Sequence, residues 1–327
     1  MRLPIPLSIL LVFVAVPQWS GEPRLMLLGT RAVIHAERVA LDPNDPARRR
    51  TGRLTFLGGV RLTSPDPTFG GFSALKVEGD RFMLLSDGGN IARFRMDGHG
   101  RVSAPSFAEL PAGPGTGWRK RERDSESLTT DPATGDVLVG FENSDEIWRY
   151  DAALARVRRH SAPPAMKRWD ENGGAEAMAR LADGATIVFA ESTEWRARAG
   201  KVAIRFAGDP TLYPRRGWRF GYLPPRHYEP SDAALLPDGR ILVLNRRFAL
   251  PFSFSAKLTI VDPAAIRPGR LIKGTEIATL AAPLIHDNFE GVAIVREGNR
   301  TVLWIVSDDN QSWMERTLLL KFRLEDR

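Results

Sequence analysis

The chain has 327 residues, 43% of them hydrophobic, with 46 Lys+Arg against 39 Asp+Glu and no cysteine. The missing cysteines exclude a disulfide scaffold, a thiolate zinc site and a cysteine nucleophile. The net charge of +7 is spread over interspersed charges of both signs, and aromatics do not alternate with the basic residues, so no nucleic-acid platform is indicated.

In chain order, Met1-Arg2 is a short positive region and Leu3 to Val16 is almost wholly apolar. That run falls short of the roughly 20 residues of a membrane span and suits the core of a signal peptide. Pro17-Gln18-Trp19-Ser20-Gly21 lacks a small-x-small cleavage site, so residues 1–20 read as a signal peptide or an uncleaved N-terminal anchor. Either places the body in the periplasm or outside the cell. Residues 21–50 form an N-terminal extension and residues 51–327 a single folded domain.

That domain is a repeat. Gly71-Phe72-Ser73-Ala74-Leu75, Asp124-Ser125-Glu126-Ser127-Leu128, Gly174-Ala175-Glu176-Ala177-Met178, Pro230-Ser231-Asp232-Ala233-Ala234 and Asn288-Phe289-Glu290-Gly291-Val292 share one pattern. An acidic or hydroxyl residue (73, 126, 176, 232, 290) precedes a small residue and then an apolar one. Each segment leads through a Gly-containing turn into a second apolar run, such as Phe82-Leu85, Val137-Val139, Ile187-Phe189, Ile241-Leu244 and Val302-Val306. Short β-rich runs joined by such turns are hairpins. Third strands follow at 91–95, 147–150, 201–206, 257–261 and 317–324, and looser fourth strands at 155–160, 218–223 and 275–280.

Four strands per unit of about 50 residues describe the blade of a β-propeller. The fold class is therefore all-β, a single propeller of five four-stranded blades, with six as the alternative. The last unit lacks a fourth strand, while an orphan strand, Arg53 to Leu62, precedes the first. Pairing the orphan with Thr317–Leu324 closes the ring and removes the free edges.

The first strand of a blade lines the channel, and the antiparallel second strand returns to the same rim. Asp87, Glu126, Glu142, Glu176, Glu191, Asp232, Glu290 and Asp308 thus converge on one mouth. Crowded carboxylates repel and raise one another's pKa unless a cation, a proton or an Arg intervenes. Oxygen-only ligands point to a hard cation, Ca²⁺ before Mg²⁺. The metal set is Glu126, Glu176, Asp232, Glu290, Asp87 and Glu191. Arg246, Arg316 and the run Arg119-Lys120-Arg121-Glu122-Arg123 bring positive charge to the rim, and His227 and His286 lie on rim loops. A nucleophile elbow, a P-loop, an H-E-x-x-H zinc motif and a dinucleotide fingerprint are all missing.

Gly70-Gly71-Phe72-Ser73-Ala74-Leu75, Leu85-Ser86-Asp87, Asp287-Asn288-Phe289-Glu290-Gly291-Val292 and Trp304-Ile305-Val306-Ser307-Asp308-Asp309-Asn310 carry a resemblance. Over roughly residues 50–325 the chain resembles the bacterial phytase-like proteins described as having esterase-like activity of the phytase family. The resemblance implies an exported propeller that hydrolyses phosphate or other esters. The Glu290-Gly291 step is also similar to gluconolactonase and paraoxonase propellers, in which Glu, Asn and Asp hold one Ca²⁺. Two departures stand out: Ser73 where other units carry an acid, and Asn245-Arg246 where an acid is expected.

The expectation is a monomeric, metal-dependent esterase, most simply a phosphoesterase, acting on a small-molecule ester. Its membrane contact would come only through the N-terminal anchor. Ca²⁺ would sit in the acidic mouth, with Arg246 and Arg316 neutralising charge and Asp308 or His286 moving the proton. The alternatives are a Ca²⁺-dependent lactonase or arylesterase at the same mouth, and a non-catalytic propeller that binds a ligand or protein.

Overall fold

The computed structural model describes residues 25–167, 169, 173–196, 200–250 and 253–325. The proposed leader, residues 1–20, lies outside them. Before the first blade come β1 (His35–Arg38), β2 (Arg50–Thr51) and β3 (Leu54–Thr63). Blade 1 holds β4 (Phe72–Glu78), β5 (Arg81–Ser86), β6 (Asn90–Met96) and β7 (Val102–Glu109). Blade 2 holds β8 (Ser125–Thr130), β9 (Val137–Phe141), β10 (Glu146–Tyr150) and β11 (Val157–Ser161). Blade 3 is β12 (Ala175–Arg180), β13 (Thr186–Glu194), β14 (Lys201–Phe206) and β15 (Gly217–Leu223). Blade 4 is β16 (Glu229–Leu235), β17 (Ile241–Ala249) and β18 (Ser253–Val261); then, past β19 (Leu271–Lys273), it is completed by β20 (Thr275–Leu280). Blade 5 is β21 (Asn288–Glu297), β22 (Arg300–Asp308) and β23 (Leu318–Leu324), completed by β3.

The architecture is the five-bladed propeller expected. The inner strands pack in the cycle β4, β8, β12, β16, β21 and back to β4. β3 pairs antiparallel with β23, from Leu318 opposite Arg61 to Leu324 opposite Leu54. An unpaired strand edge is a row of bare N–H and C=O groups, so this pairing explains why the orphan strand precedes the first repeat. β1 then covers the outer edge of β3, and β19 adds in parallel to β15 of blade 3.

One fourth strand had no clear signature in the sequence. β7 carries Pro105 and a mostly exposed, non-alternating burial pattern. An outermost strand needs neither a full hydrogen-bond ladder nor an apolar face, so periodicity cannot find it.

The core is five clusters, each filling one gap between neighbouring blades. Phe189, Phe220 and Tyr222 of blade 3 meet Ile241, Val243 and Val261 of blade 4. Phe56, Leu320 and Phe322 of blade 5 meet Leu242, Leu244 and Leu258 of blade 4. Period-2 alternation sends one set of side chains into each gap, which fixes the blade faces and leaves the strand ends to build the rims.

Candidate functional site

All five inner strands carry the same irregularity near their first residues. The register jumps a residue between Phe72 and Ala74, Ser125 and Ser127, Ala175 and Ala177, Pro230 and Asp232, and Phe289 and Gly291. The skipped residues are Ser73, Glu126, Glu176, Ser231 and Glu290. A bulge of this kind leaves one residue unpaired and re-aims its side chain. Blades 2, 3 and 5 thereby contribute a glutamate apiece. In blades 1 and 4 the bulge serine ties the next blade instead: Ser73 Oγ donates to the Ser125 carbonyl (2.5 Å) and Ser231 Oγ to that of Phe289 (3.1 Å).

This register corrects the alignment of the fourth repeat. Its equivalent position is Ser231, not Asp232. Asp232 is 2% exposed and spends its carboxylate on backbone: Oδ1 accepts from Ala233 N–H (2.7 Å) and Oδ2 from Val292 N–H (2.6 Å) of blade 5.

A second tier comes from the ends of the second strands. Ser86, Phe141, Ala190, Asn245 and Ser307 lie opposite the residue just before each bulge. The residues that follow them are Asp87, Glu142, Glu191, Arg246 and Asp308, four carboxylates and one guanidinium. A third tier, two residues before each bulge, is Gly71, Asp124, Gly174, Glu229 and Asn288. Glycine is needed where the tiers crowd. A Cβ on Gly71, at φ +66°, would lie 2.8 Å from Asp87 Oδ1, and one on Gly174 would lie 2.6 Å from the Glu142 carbonyl oxygen.

Two cations divide the mouth. Arg246 pairs with Glu191 through Nη2, and its Nε lies 2.9 Å from Glu290 Oε1. Lys120, on a single 3-10 turn (Lys120–Glu122), pairs with Asp87 and has Asp124 and Asp308 within electrostatic range. Between them two acidic triads share Glu142: ligand atoms of Asp124, Glu126 and Glu142 lie within 4.8 Å of one another, and so do those of Glu142, Glu176 and Glu191.

The electrostatics follow from burial and crowding. Burial raises Glu126 well above the usual carboxylate range, and Asp124, Asp87, Glu142 and Glu290 add to it. Glu176 is raised in the same way by burial and then by Glu191 and Glu126. Glu142 and Glu290 are each pushed up to about 7, chiefly by burial; the charge of Arg246 restrains Glu290. Asp308, buried beside Asp87 and Glu290, is also raised well above its ordinary value. Arg246 is raised despite burial because Glu290, Glu191, Glu176 and Glu126 surround it.

The donor set fits a hard cation. It consists of carboxylate oxygens, and Asn288 adds a carbonyl oxygen, Oδ1, that is buried beside Glu290 without a hydrogen-bond partner. A buried acceptor left unpaired costs roughly 1–3 kcal/mol, and coordination would satisfy it. Acidic clusters able to hold a metal are therefore present. Beside Arg246 a rim cavity of about 640 Å³ opens, lined by Pro225, Arg226, His227, Tyr228 and Phe248 among others.

A profile of the phytase-like family, described as "Esterase-like activity of phytase", matches residues 67–311. The chain belongs to that family. No curated protein matches the phytase-like chain. Among solved structures it is similar to a Trichoderma reesei carbohydrate-active enzyme of family AA12, at 9% identity over 92% of this chain and 98% of that one, with a TM-score of 0.42. It is also similar to a luciferin-regenerating enzyme, at 10% identity over 89% and 98%, TM-score 0.40. Kuenenia stuttgartiensis hydrazine synthase matches at 13% identity and TM-score 0.36 over 74% of this chain; the chain spans 58% of that protein's length. At such scores none of these likenesses bears on the chemistry.

The structure brings Asp87, Glu126, Glu142, Glu176, Glu191, Glu290 and Asp308 of the phytase-like chain together with Arg246. Asp232 stands one residue out of phase. Arg316 is committed nearby: Nε pairs with Asp287 Oδ2 (2.9 Å) and Nη2 donates to the His286 carbonyl (3.0 Å). His286 is half-buried, with Nδ1 2.7 Å from the Leu284 carbonyl, and His227 is exposed in the lining of the rim cavity. Sequence reasoning missed Asp124 and Asn288, and placed Lys120 at the rim only as part of a basic run. The first two sit two residues before an acid already chosen, so reading one tier lower would have found them. What the sequence did not announce is that a single turn singles out Lys120 from that run to pair with Asp87.

Proposed function

We propose that this phytase-like propeller is an exported, metal-dependent esterase whose site is the acidic mouth, with phosphate esters as the leading substrate class. One observation supports it above the others: two carboxylate triads share Glu142, with Lys120 and Arg246 paired to acids of the same mouth. Glu126, Glu142, Glu176 and Glu191, with Asp124, would hold the cation; Ca²⁺ suits their number and their oxygen chemistry. Bound there, it would supply Lewis-acid charge toward an ester oxyanion.

The chain's own groups account for the rest. Arg246 and Lys120 keep neighbouring carboxylates in place and offset part of their charge toward an anionic substrate. Burial, with Asp87 and Glu290 nearby, makes Asp308 hold its proton more tightly than an ordinary carboxyl, and it accepts one backbone bond, from Asn310 N–H at 2.6 Å, so it suits proton delivery to a leaving oxygen. If His286 Nδ1 carries the proton that meets the Leu284 carbonyl, its Nε2 is left as a base. Arg316 positions this loop through Asp287.

The test is elemental analysis of the purified chain, then hydrolysis of phosphate monoesters, carboxylic esters and lactones with and without chelator. Chelator-sensitive phosphate release is expected. Turnover of lactones alone would move the reading to a lactonase. A metal-free protein inactive on all three classes with added Ca²⁺ would sink it. Glu176→Gln, at a member of the second triad, should weaken metal retention while the protein stays folded.

A further inference from the structure

The most exposed large apolar side chains gather at the mouth end. Trp313 is 91% exposed, Leu250 85%, Met26 60% and Trp118 59%. Trp118 lies between β7 and β8, Leu250 between β17 and β18, and Trp313 between β22 and β23. These connections lie at the mouth because inner strands begin there and second strands end there. Met26 reaches the same end, since Leu25 N–H donates to the Trp118 carbonyl and Asn90 Nδ2 donates to that of Met26. The Trp313 loop is firmly based: Asp309 Oδ1 accepts from Gly71 and Gln311 N–H, both at 3.0 Å, and Oδ2 from Thr317 Oγ1 at 2.7 Å.

Clustered exposed apolar side chains mark a contact surface, whereas scattered ones do not. Here they are interleaved with exposed arginines, Arg119, Arg121, Arg196 and Arg226 on the mouth loops and Arg247 near the mouth end of β17. Tryptophan at the headgroup level with arginine toward anionic lipid is the pairing a bilayer surface selects. The path of the chain names the same occupant. The described chain begins at this end with Leu25, and the apolar run Leu3 to Val16 precedes it by a stretch, 17–24, that spans at most about 28 Å.

We propose that the mouth end docks on a lipid bilayer bearing anionic headgroups, with Trp118, Leu250 and Trp313 at the interface and the channel opening toward the membrane. The carboxylates lie recessed inside the arginine rim, so the membrane meets the basic residues first. Any substrate would then reach the mouth along the bilayer surface. The docking does not require hydrolysis.

The absence of native cysteine makes the test direct. Full-length Trp313→Cys and Leu250→Cys at the mouth, and Tyr213→Cys at the opposite end, each carry one polarity-sensitive label. They are mixed with vesicles of phosphatidylcholine and phosphatidylglycerol containing brominated acyl chains, with circular dichroism confirming the fold. The expected result is a blue shift and quenching at 313 and 250, none at 213, and weakening of both effects as salt rises past a Debye length of about 10 Å at 0.1 M. The proposal is overturned if the protein does not bind vesicles, or if it binds with its mouth labels still in water. It is also overturned if position 213 responds equally. A shift that follows protein concentration without vesicles would assign the rim to a second copy instead. No hydrolysis is read, so this test fails or succeeds apart from the esterase assay.

Discussion

The two ends of the propeller are built from the same strands and treat acids in opposite ways. At the end away from the mouth, aspartates in the tight turns are each met by arginine or by backbone N–H. Arg149 bonds Asp136 (2.9 Å) and Asp209 (2.5 Å), joining blades 2 and 3, and Arg180 bonds Asp131 (3.2 Å). Burial alone would raise Asp131, but the Ala133 amide, Arg180 and Arg149 outweigh it and hold it low; Asp238 is held low by Arg240. At the mouth eight carboxylates, Asp87, Asp124, Glu126, Glu142, Glu176, Glu191, Glu290 and Asp308, share Lys120 and Arg246, and burial with mutual repulsion pushes them up. The difference teaches that an acid recurring in every blade can serve either end. Only its counterion separates structural use from a site with charge to spare.

The largest effect should come from breaking the neutralised end. Arg149→Met leaves buried Asp209 without its guanidinium and takes one partner from half-buried Asp136, which costs roughly 3–5 kcal/mol. Denaturant unfolding should show that loss while metal content stays unchanged. A change in metal content would mean that the two ends are coupled.

The second contrast is in pH. In metal-free protein, Glu142 and Glu290 at about 7 bind protons in the folded state that the unfolded chain, near 4.5, has released. Their stabilising effect is present below the unfolded value and is lost as pH rises toward 7, at most roughly 3 kcal/mol each. The lowered Asp131 and Asp238 act the other way: their contribution is present above the ordinary carboxylate value and is lost as pH falls through their own. Thermal unfolding with chelator should therefore weaken between pH 5 and 8, and Ca²⁺ should remove that slope. A slope that persists unchanged in Ca²⁺ would show that the cation does not sit among these acids.

Third, Glu142→Gln, at the group shared by both triads, should lower ester turnover on the order of 100-fold and release metal. Metal-free stability at pH 8 should hold or rise, because a repelling charge is gone. Stability that falls instead would give Glu142 the structural role of the acids at the far end. The smallest effect tests the bulge serines. Ser231→Ala removes one hydroxyl bond to the Phe289 carbonyl and should cost about 1 kcal/mol, with metal retention intact.

Much of this was legible in the residues. Leu54–Thr63 reads as a strand without a partner, and a closed ring is the arrangement that satisfies its edge. Glu126, Glu176 and Glu290 were legible because an acid at the head of an apolar inner strand cannot face the gap between blades. Asp232 shows the limit. In sequence it sits like the glutamates, yet a bulge shifts the side-chain phase by one residue, and the bore receives Ser231 while Asp232 receives two amides.

By itself, the sequence determined the all-β class, the five repeats, the closing strand and the gathering of acids at one rim. These depend on period-2 patterning, turn residues and chain order, all local properties. The tertiary structure alone decided which acids share a cation. Lys120 meets Asp87, and Arg246 stands between Glu191 and Glu290, across gaps of tens of residues. It also decided that Asn288 keeps a buried oxygen unpaired and that Arg316 turns to Asp287. Charge pairing depends on distance through space, which spacing along the chain does not reveal.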